Sequence, residues 1–403
     1  GTLCRSQTRR HRCRNPLAIL IEGPPLLLDD VPVIDNHCHG FVRIPPGSTL
    51  QEWRAHFTET RDPEMLESHV PSMLSYQRVL HRLAGFLGCE PREEEVFRER
   101  QMAGDIEMIR SLLDDANVKA LIVDRGFPSP DSVIPDDAIY AASSIRFESL
   151  LRLEPLMEKL IMRHESLSEA KDALAQELSD VRGAAFVGLK SIAAYRCGLD
   201  IREWNRAEAE SAFAAERVAA STGTYRLMSK PVLESLLVVA LEAANEQELP
   251  VQFHVGYGDS DVDMLKTNPL HMRSVLESGR YRGATFVLLH ECYPYTREGA
   301  YLAAIYENVY LDLSYGIPFL GRGELLSFTR AALAVAPGSK LMYSSDGVGV
   351  PELHWASAIE GREVLAEVLD DCVTQNELSD DGARAVGEAI LRDNALRVYG
   401  LQP

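Results

Sequence analysis

Eight short apolar runs recur along this chain, most of them closing on a polar residue, with longer stretches of helical spacing between them. The runs are Val33 to His37, Val118 to Asp124, Glu148 to Glu154, Ala184 to Lys190, Pro250 to Gly256, Thr285 to Glu291, Val309 to Tyr315 and Lys340 to Asp346. Near-continuous hydrophobicity over so few residues is the pattern of a parallel strand buried on both faces, its tip reaching solvent. Phe97 to Asn117, Leu156 to Val181, Pro231 to Glu248, Gly323 to Ala336 and Pro351 to Asp370 carry the helical pattern. Strand and helix in alternation give right-handed βαβ units, and eight of them close into a ring. The fold class expected is therefore α/β, a (β/α)8 TIM barrel. An open doubly wound sheet is the competing arrangement, but it presents its site at one switch point and has no need of polar tips on so many strands.

Two connections are longer than a simple crossover: residues 41–117 after the first strand and 191–249 after the fourth. Both hold apolar residues at helical spacing, for example Tyr76, Val79, Leu80 and Leu83. They are expected to be helical caps over the barrel mouth. Residues 1–29 read as a basic extension and lead-in, and 30–403 as the barrel. The first 16 residues carry five arginines and no acid, the composition of a disordered tail, an upstream extension or an expression remnant. Neither an internal repeat nor an apolar run long enough to span a bilayer is evident.

Composition narrows the class of partner. With 60 acidic against 41 basic side chains, the net charge of -19 disfavours nucleic acid and anionic membrane and favours a small-molecule substrate. Seven scattered cysteines without a CxxC pair suit a reducing compartment, so a cytoplasmic location is expected. The apolar helical insertions suit pairing of copies into a homo-oligomer.

The chemistry lies at the strand tips. His37 and His39 fall on one side of the first strand, about 7 Å apart by strand geometry, and Cys38 points away. His254 and His290 end the fifth and sixth runs. Each alone reads as a hydrogen-bonded core histidine, but together they suit a divalent cation. Asp346 ends the eighth run before Gly347, as a turn residue or as a carboxylate touching a metal and serving as general base. Lys190 closes the fourth run. Burial there lowers an amine pKa and frees the amine to react with carbon dioxide, giving a carbamate able to bridge two metals. The alternative is a lysine paired with an acid or with substrate.

In this order the residues resemble the amidohydrolase superfamily, metal-dependent (β/α)8 barrels, over roughly residues 30 to 401. Its two-metal members take HxH from the first strand, a carbamylated lysine from the fourth, histidines from the fifth and sixth, and aspartate from the eighth. His37, His39, Lys190, His254, His290 and Asp346 match that series. The phrases Gly188 to Arg196, Tyr343 to Asp346 and Asn394 to Leu401 are similar to the second amidohydrolase family, and to the barrel that some fungal and plant proteins join to a glutamine-synthetase-like domain. The resemblance implies one or two divalent ions, zinc foremost with Mn, Fe or Ni as alternatives. Single-metal members leave the sixth-strand histidine, here His290, for substrate.

The expected reaction is hydrolysis of an amide or related C–N bond, with Asp346 moving the proton and His290 binding a metal or the developing oxyanion. Arg125, Arg152 and Arg196 lie near strand tips, with Glu154 and Tyr195. The arginines suit a carboxylate on the substrate, such as an acyl amino acid or γ-glutamyl amide; structural pairing, for instance Arg152 with Glu154, is the alternative. Nonoxidative decarboxylation on a single metal and a catalytically silent regulatory barrel are the competing functions.

Overall fold

The structure is a computed structural model that describes residues 26, 28–141, 143, 145–221, 223 and 225–402. The basic N-terminal segment lies outside them, as do Cys4 and Cys13. Eight strands form one parallel sheet in sequence order: β1 Val33–Cys38, β2 Val118–Asp124, β3 Arg146–Arg152, β4 Gly188–Ser191, β5 Pro250–Phe253, β6 Thr285–Leu288, β7 Val309–Ser314 and β8 Leu341–Ser344. The seam between β8 and β1 is drawn together just past β8. Asp346 N donates to the His37 carbonyl at 3.0 Å, His39 N to Gly347 at 2.9 Å and Val42 N to Gly349 at 2.8 Å. The result is a (β/α)8 barrel.

Alternate residues of each strand face opposite ways, which divides the core in two. Leu121, Val123, Leu189, Phe253, Phe286, Leu311 and Leu341 pack outward beneath the helices. Ile34, Ala120, Ile122, Leu150, Val287 and Met342 fill the interior with Leu396 and Tyr399, from the C-terminal helix Asn394–Tyr399. Tyr399 closes this interior with polar contacts. Its hydroxyl receives the Gln252 Nε2 proton at 2.6 Å and donates to Asn36 Oδ1 at 3.1 Å, while Asn36 Nδ2 bonds Asp312 at 2.5 Å. Apart from Gln252 Oε1, the polar side-chain atoms of this cluster bond one another or neighbouring backbone, so the side chains above them rest on a braced floor.

Element boundaries differ from the pattern in instructive places. Strand β3 begins and ends two residues earlier than expected because Leu153, Glu154 and Pro155 form the first turn of the helix Leu153–Arg163, where proline is tolerated. Residues 184–187 form a turn in which Ala185 has φ +65°, so β4 begins only at Gly188. The expected helix 156–181 is two helices, the second opened by a capping box of Ser166 and Glu169. The segment 97–117 likewise divides into Glu93–Met102 and Asp105–Asp115 at Gly104.

The insertion after β1 adds the helices Leu50–Arg54, Leu74–Leu87, Glu93–Met102 and Asp105–Asp115; the insertion after β4 adds Ala193–Arg196, Arg206–Ala220 and Lys230–Glu246. Charge pairs hold the first insertion in place. Arg54 grips Glu93 through Nε and Nη2, both at 2.7 Å, Tyr76 donates to Glu93 at 2.6 Å, and buried Arg100 pairs with buried Glu352 on the helix Pro351–Thr374. Among the described residues no helix is long and apolar enough to cross a membrane.

Candidate metal centre

The C-terminal ends of the strands carry the site, as parallel-barrel geometry requires. Alternation along β1 brings the rings of His37 and His39 to 5.1 Å between centroids, and sends Cys38 to the outer side, where its Sγ lies 3.8 Å from the Ile122 carbonyl. Asp346 follows β8 with φ +50°, and its Oδ1 lies 3.4 Å from His37 Nε2 and 3.6 Å from His39 Nε2. Ligand atoms of His37, His39 and Asp346 all fall within 4.8 Å of one another. His290 Nδ1 is 3.3 Å from Asp346 Oδ2, and its Nε2 is 2.9 Å from His254 Nδ1. Lys190 Nζ stands 3.4 Å from His37 Nε2. All six residues expected from the sequence therefore meet at one mouth, three in a compact group and three along its flank.

The hydrogen bonds behind these rings suit a cation in front of them. His39 Nδ1 donates to the Phe127 carbonyl at 3.0 Å and His254 Nε2 to the Tyr257 carbonyl at 2.5 Å, which leaves the other nitrogen of each ring to offer a lone pair to the site. Burial, aided by the Lys190 charge, lowers His37 to about 4 and His254 to about 3, and burial takes His290 well below its usual value. Neutral imidazoles are the ligand form. Burial alone would raise the Asp346 carboxyl, but the neighbouring imidazoles of His290, His37 and His39 outweigh it and hold the group well below the usual range. The donor set, three neutral imidazoles beside a carboxylate, fits a divalent transition metal.

Burial also lowers Lys190 to about 8, and it forms no ion pair among the described residues. Its amine is thus more available than that of an exposed lysine.

The other predicted residues separate. Arg152 lines the cavity, with Nε and Nη2 bound to the buried Asp124 carboxylate, the Nη2 contact at 2.5 Å. Its partner is thus Asp124 and not Glu154. Glu154 is buried behind the site, where Oε1 accepts from Ser191 Oγ at 2.8 Å and Ile192 N at 2.9 Å, and burial raises its pKa. Tyr195 also lines the cavity, its ring 4.5 Å from that of His254. Arg125 pairs with Asp136 and donates to Ser149, and Arg196 pairs with Glu158 at 3.2 Å. Neither is among the residues lining the cavity.

Several residues of the site were not anticipated. Asp124 ends β2 and carried the same signal as the histidines, a polar residue closing an apolar run. Tyr257 donates to Asp346 Oδ2 at 2.7 Å; it sits three residues past His254, where an aromatic gives no clear signal. Asp312 braces the centre from β7, accepting from His290 N at 2.9 Å and from Ser314 Oγ. Asp35 accepts from Ser345 N at 3.0 Å, joining β1 to the segment that carries Asp346. Glu59, in the first insertion, faces the same cavity of about 400 Å³ as His37, His39, Lys190 and Asp346. That volume lies within the range of small-molecule sites.

Comparison with known proteins places this geometry. The family model described as Amidohydrolase matches residues 168–401. Protein fluG of Emericella nidulans is 28% identical over 409 residues, covering 93% of this chain and 46% of the relative, so the chain spans about half the length of that protein. A crystal structure from Lactobacillus casei, provisionally described as a metal-dependent hydrolase, superposes with a TM-score of 0.82 at 27% identity, over 93% of this chain and 96% of the other. A uronate isomerase from Bacillus halodurans shares the fold, with a TM-score of 0.65 at 16% identity over 93% and 94% of the two chains. A match over more than half of the chain, on a barrel with these strand-tip residues, shows that the protein belongs to the amidohydrolase family.

Proposed function

We propose that this protein is a metal-dependent hydrolase that cleaves an amide or related C–N bond of a small, carboxylate-bearing substrate. The observation that carries the reading is the convergence of His37, His39 and Asp346 within 4.8 Å at the floor of a cavity of about 400 Å³. These three would hold a divalent ion, with Lys190, His254 and His290 completing the ligand set; zinc suits the donors best, and Mn, Fe or Ni are accepted by the same groups. When bound, such an ion supplies Lewis acidity and lowers the pKa of water.

The protein's own groups do the rest. Asp346, kept anionic by its imidazole neighbours and oriented by the Tyr257 hydroxyl, takes the proton of the attacking water and returns it to the leaving amine. His290 stands on the other side of that carboxylate, within reach of the developing oxyanion. Arg152 receives the substrate carboxylate through Nη1, since Nε and Nη2 are committed to Asp124. Tyr195 forms part of the wall beside His254.

The compact three-atom group also suits a single ion beside an unmodified Lys190, and that arrangement supports decarboxylation of a small acid as the second reading. One experiment separates them. The protein is chelated, reloaded with Zn, Mn, Fe or Ni in turn, and screened against acyl amino acids, γ-glutamyl amides and aromatic acids. Amine release that disappears on chelation and returns with metal is expected; carbon dioxide release without amine would overturn the hydrolytic reading.

A further inference from the structure

Glu59 is the one carboxylate facing this cavity, among the described residues, that the proposed chemistry leaves unused and that has neither a hydrogen bond nor an ion pair. Asp346 is engaged by Tyr257 and the histidines, Asp261 pairs with Arg226 at 2.7 Å, and Asp259 accepts the backbone N–H of Asp261 at 2.9 Å. Arg61, the nearest cation in sequence, spends Nη1 on the carbonyls of Ala55 and Thr58. Glu59 is half-buried, and a carboxylate partly withdrawn from water without a partner is destabilised and is relieved by a cation brought in from outside. Burial raises its pKa, with repulsion from Asp346 and Asp259 added and attraction to Arg61 opposing.

The choice of cation follows from what else is there. A metal ion needs several converging donors, and beside Glu59 this wall offers, among the described residues, only Asp259, whose Oδ1 is already held by the Asp261 N–H. An ammonium group needs one carboxylate and is further favoured by aromatic neighbours, and Tyr195 and Tyr257 line the same cavity. Opposite charges at separate points, Glu59 and Arg152, also fix the direction in which a small zwitterion enters.

We infer that Glu59 binds a protonated amino group of the substrate, so that the substrate is an amide carrying a free amine as well as a carboxylate; this deepens the hydrolytic reading and rests on it for the position of the scissile bond. Glutamine combines all three groups, and N-acetylglutamine is the same compound with its ammonium replaced by a neutral amide.

Both are titrated calorimetrically into the zinc-loaded full chain, as wild type, Glu59→Gln and Glu59→Asp. Wild type is expected to prefer glutamine by about tenfold, the worth of one charge-assisted hydrogen bond. Glu59→Gln should abolish that preference by weakening glutamine alone, and Glu59→Asp should restore part of it. Equal weakening of both ligands, an unchanged preference in Glu59→Gln, or no binding of either compound at millimolar concentration overturns the inference. Amine release is followed in parallel on the γ-anilides of glutamate and N-acetylglutamate. A protein that shows the Glu59-dependent binding preference but hydrolyses neither anilide refutes the hydrolytic reading and upholds the amine subsite.

Discussion

Replacing Glu59 by glutamine should stabilise the metal-free fold at pH 8 and leave it almost unchanged near pH 5. Burial is the largest influence on this carboxyl, with repulsion from Asp346 and Asp259 added and attraction to Arg61 opposing, and together they raise it to about 7 from its ordinary 4.5. A carboxyl raised in the folded state favours the protonated form, so the fold is penalised progressively as pH climbs from about 4.5 to about 7, and by a constant amount above that. At about 1.4 kcal/mol per pH unit the penalty reaches about 3 kcal/mol, an upper value because Glu59 keeps some contact with solvent. Glutamine is the neutral isostere of the protonated acid and escapes it. Urea unfolding of chelated wild type and Glu59→Gln reads the difference: about 2 to 3 kcal/mol in favour of the variant at pH 8, and below about 1 kcal/mol near pH 5. An equal difference at both pH values would refute the reasoning, since it would trace the effect to packing and not to charge. The expected sign accords with a residue retained for binding at the expense of stability.

Three further outcomes follow from the geometry. Asp346→Asn should lose amide hydrolysis by several orders of magnitude while keeping wild-type secondary structure, measured by amine release and circular dichroism. Arg152→Ala should destabilise the fold by about 3 to 5 kcal/mol, because Asp124 is buried and held below its ordinary pKa chiefly by that guanidinium against the opposing effect of burial; adding Asp124→Asn should recover part of the loss in the same melt. Tyr399→Phe should cost about 1 to 2 kcal/mol in chemical unfolding, having removed the hydroxyl between Gln252 and Asn36 in the barrel interior.

The barrel was legible because burial on both faces keeps most strand positions apolar and gathers polar residues towards the ends, with Asp35, Asn36, Gln252 and Asp312 as internal exceptions that bond one another or neighbouring backbone. That one constraint located β1, β2, β7 and β8 closely and β5 at its start, although β5 ends at Phe253 and not at Gly256, and it also put six ligand-type residues at one mouth. It misplaced the start of β4, where the apolar Ala184 to Val187 forms a turn, and it ran past the end of β6. There His290, Glu291 and Cys292 all adopt positive φ, a conformation that bulky side chains rarely take and that residue types do not announce. Positioning side chains were harder to read. Asp312 and Asp35 act through partners hundreds of positions away or on neighbouring strands, and such pairing leaves no local pattern. Arginines were ambiguous for the same reason: Arg125 and Arg196 resemble Arg152 in sequence, and only the three-dimensional position of Asp136 and Glu158 sets them apart. Glu59 lies on an insertion whose periodicity reports its helices but not which loop residue faces inward.

The central claim is that His37, His39 and Asp346 converge on a divalent cation. Anomalous diffraction from crystals of the zinc-replete protein, recorded on both sides of the zinc absorption edge, tests it most directly. A peak among the His37, His39 and Asp346 side chains, lost in Asp346→Ala, is predicted; a map with no peak there, or with zinc bound only elsewhere on the molecule, would contradict the account.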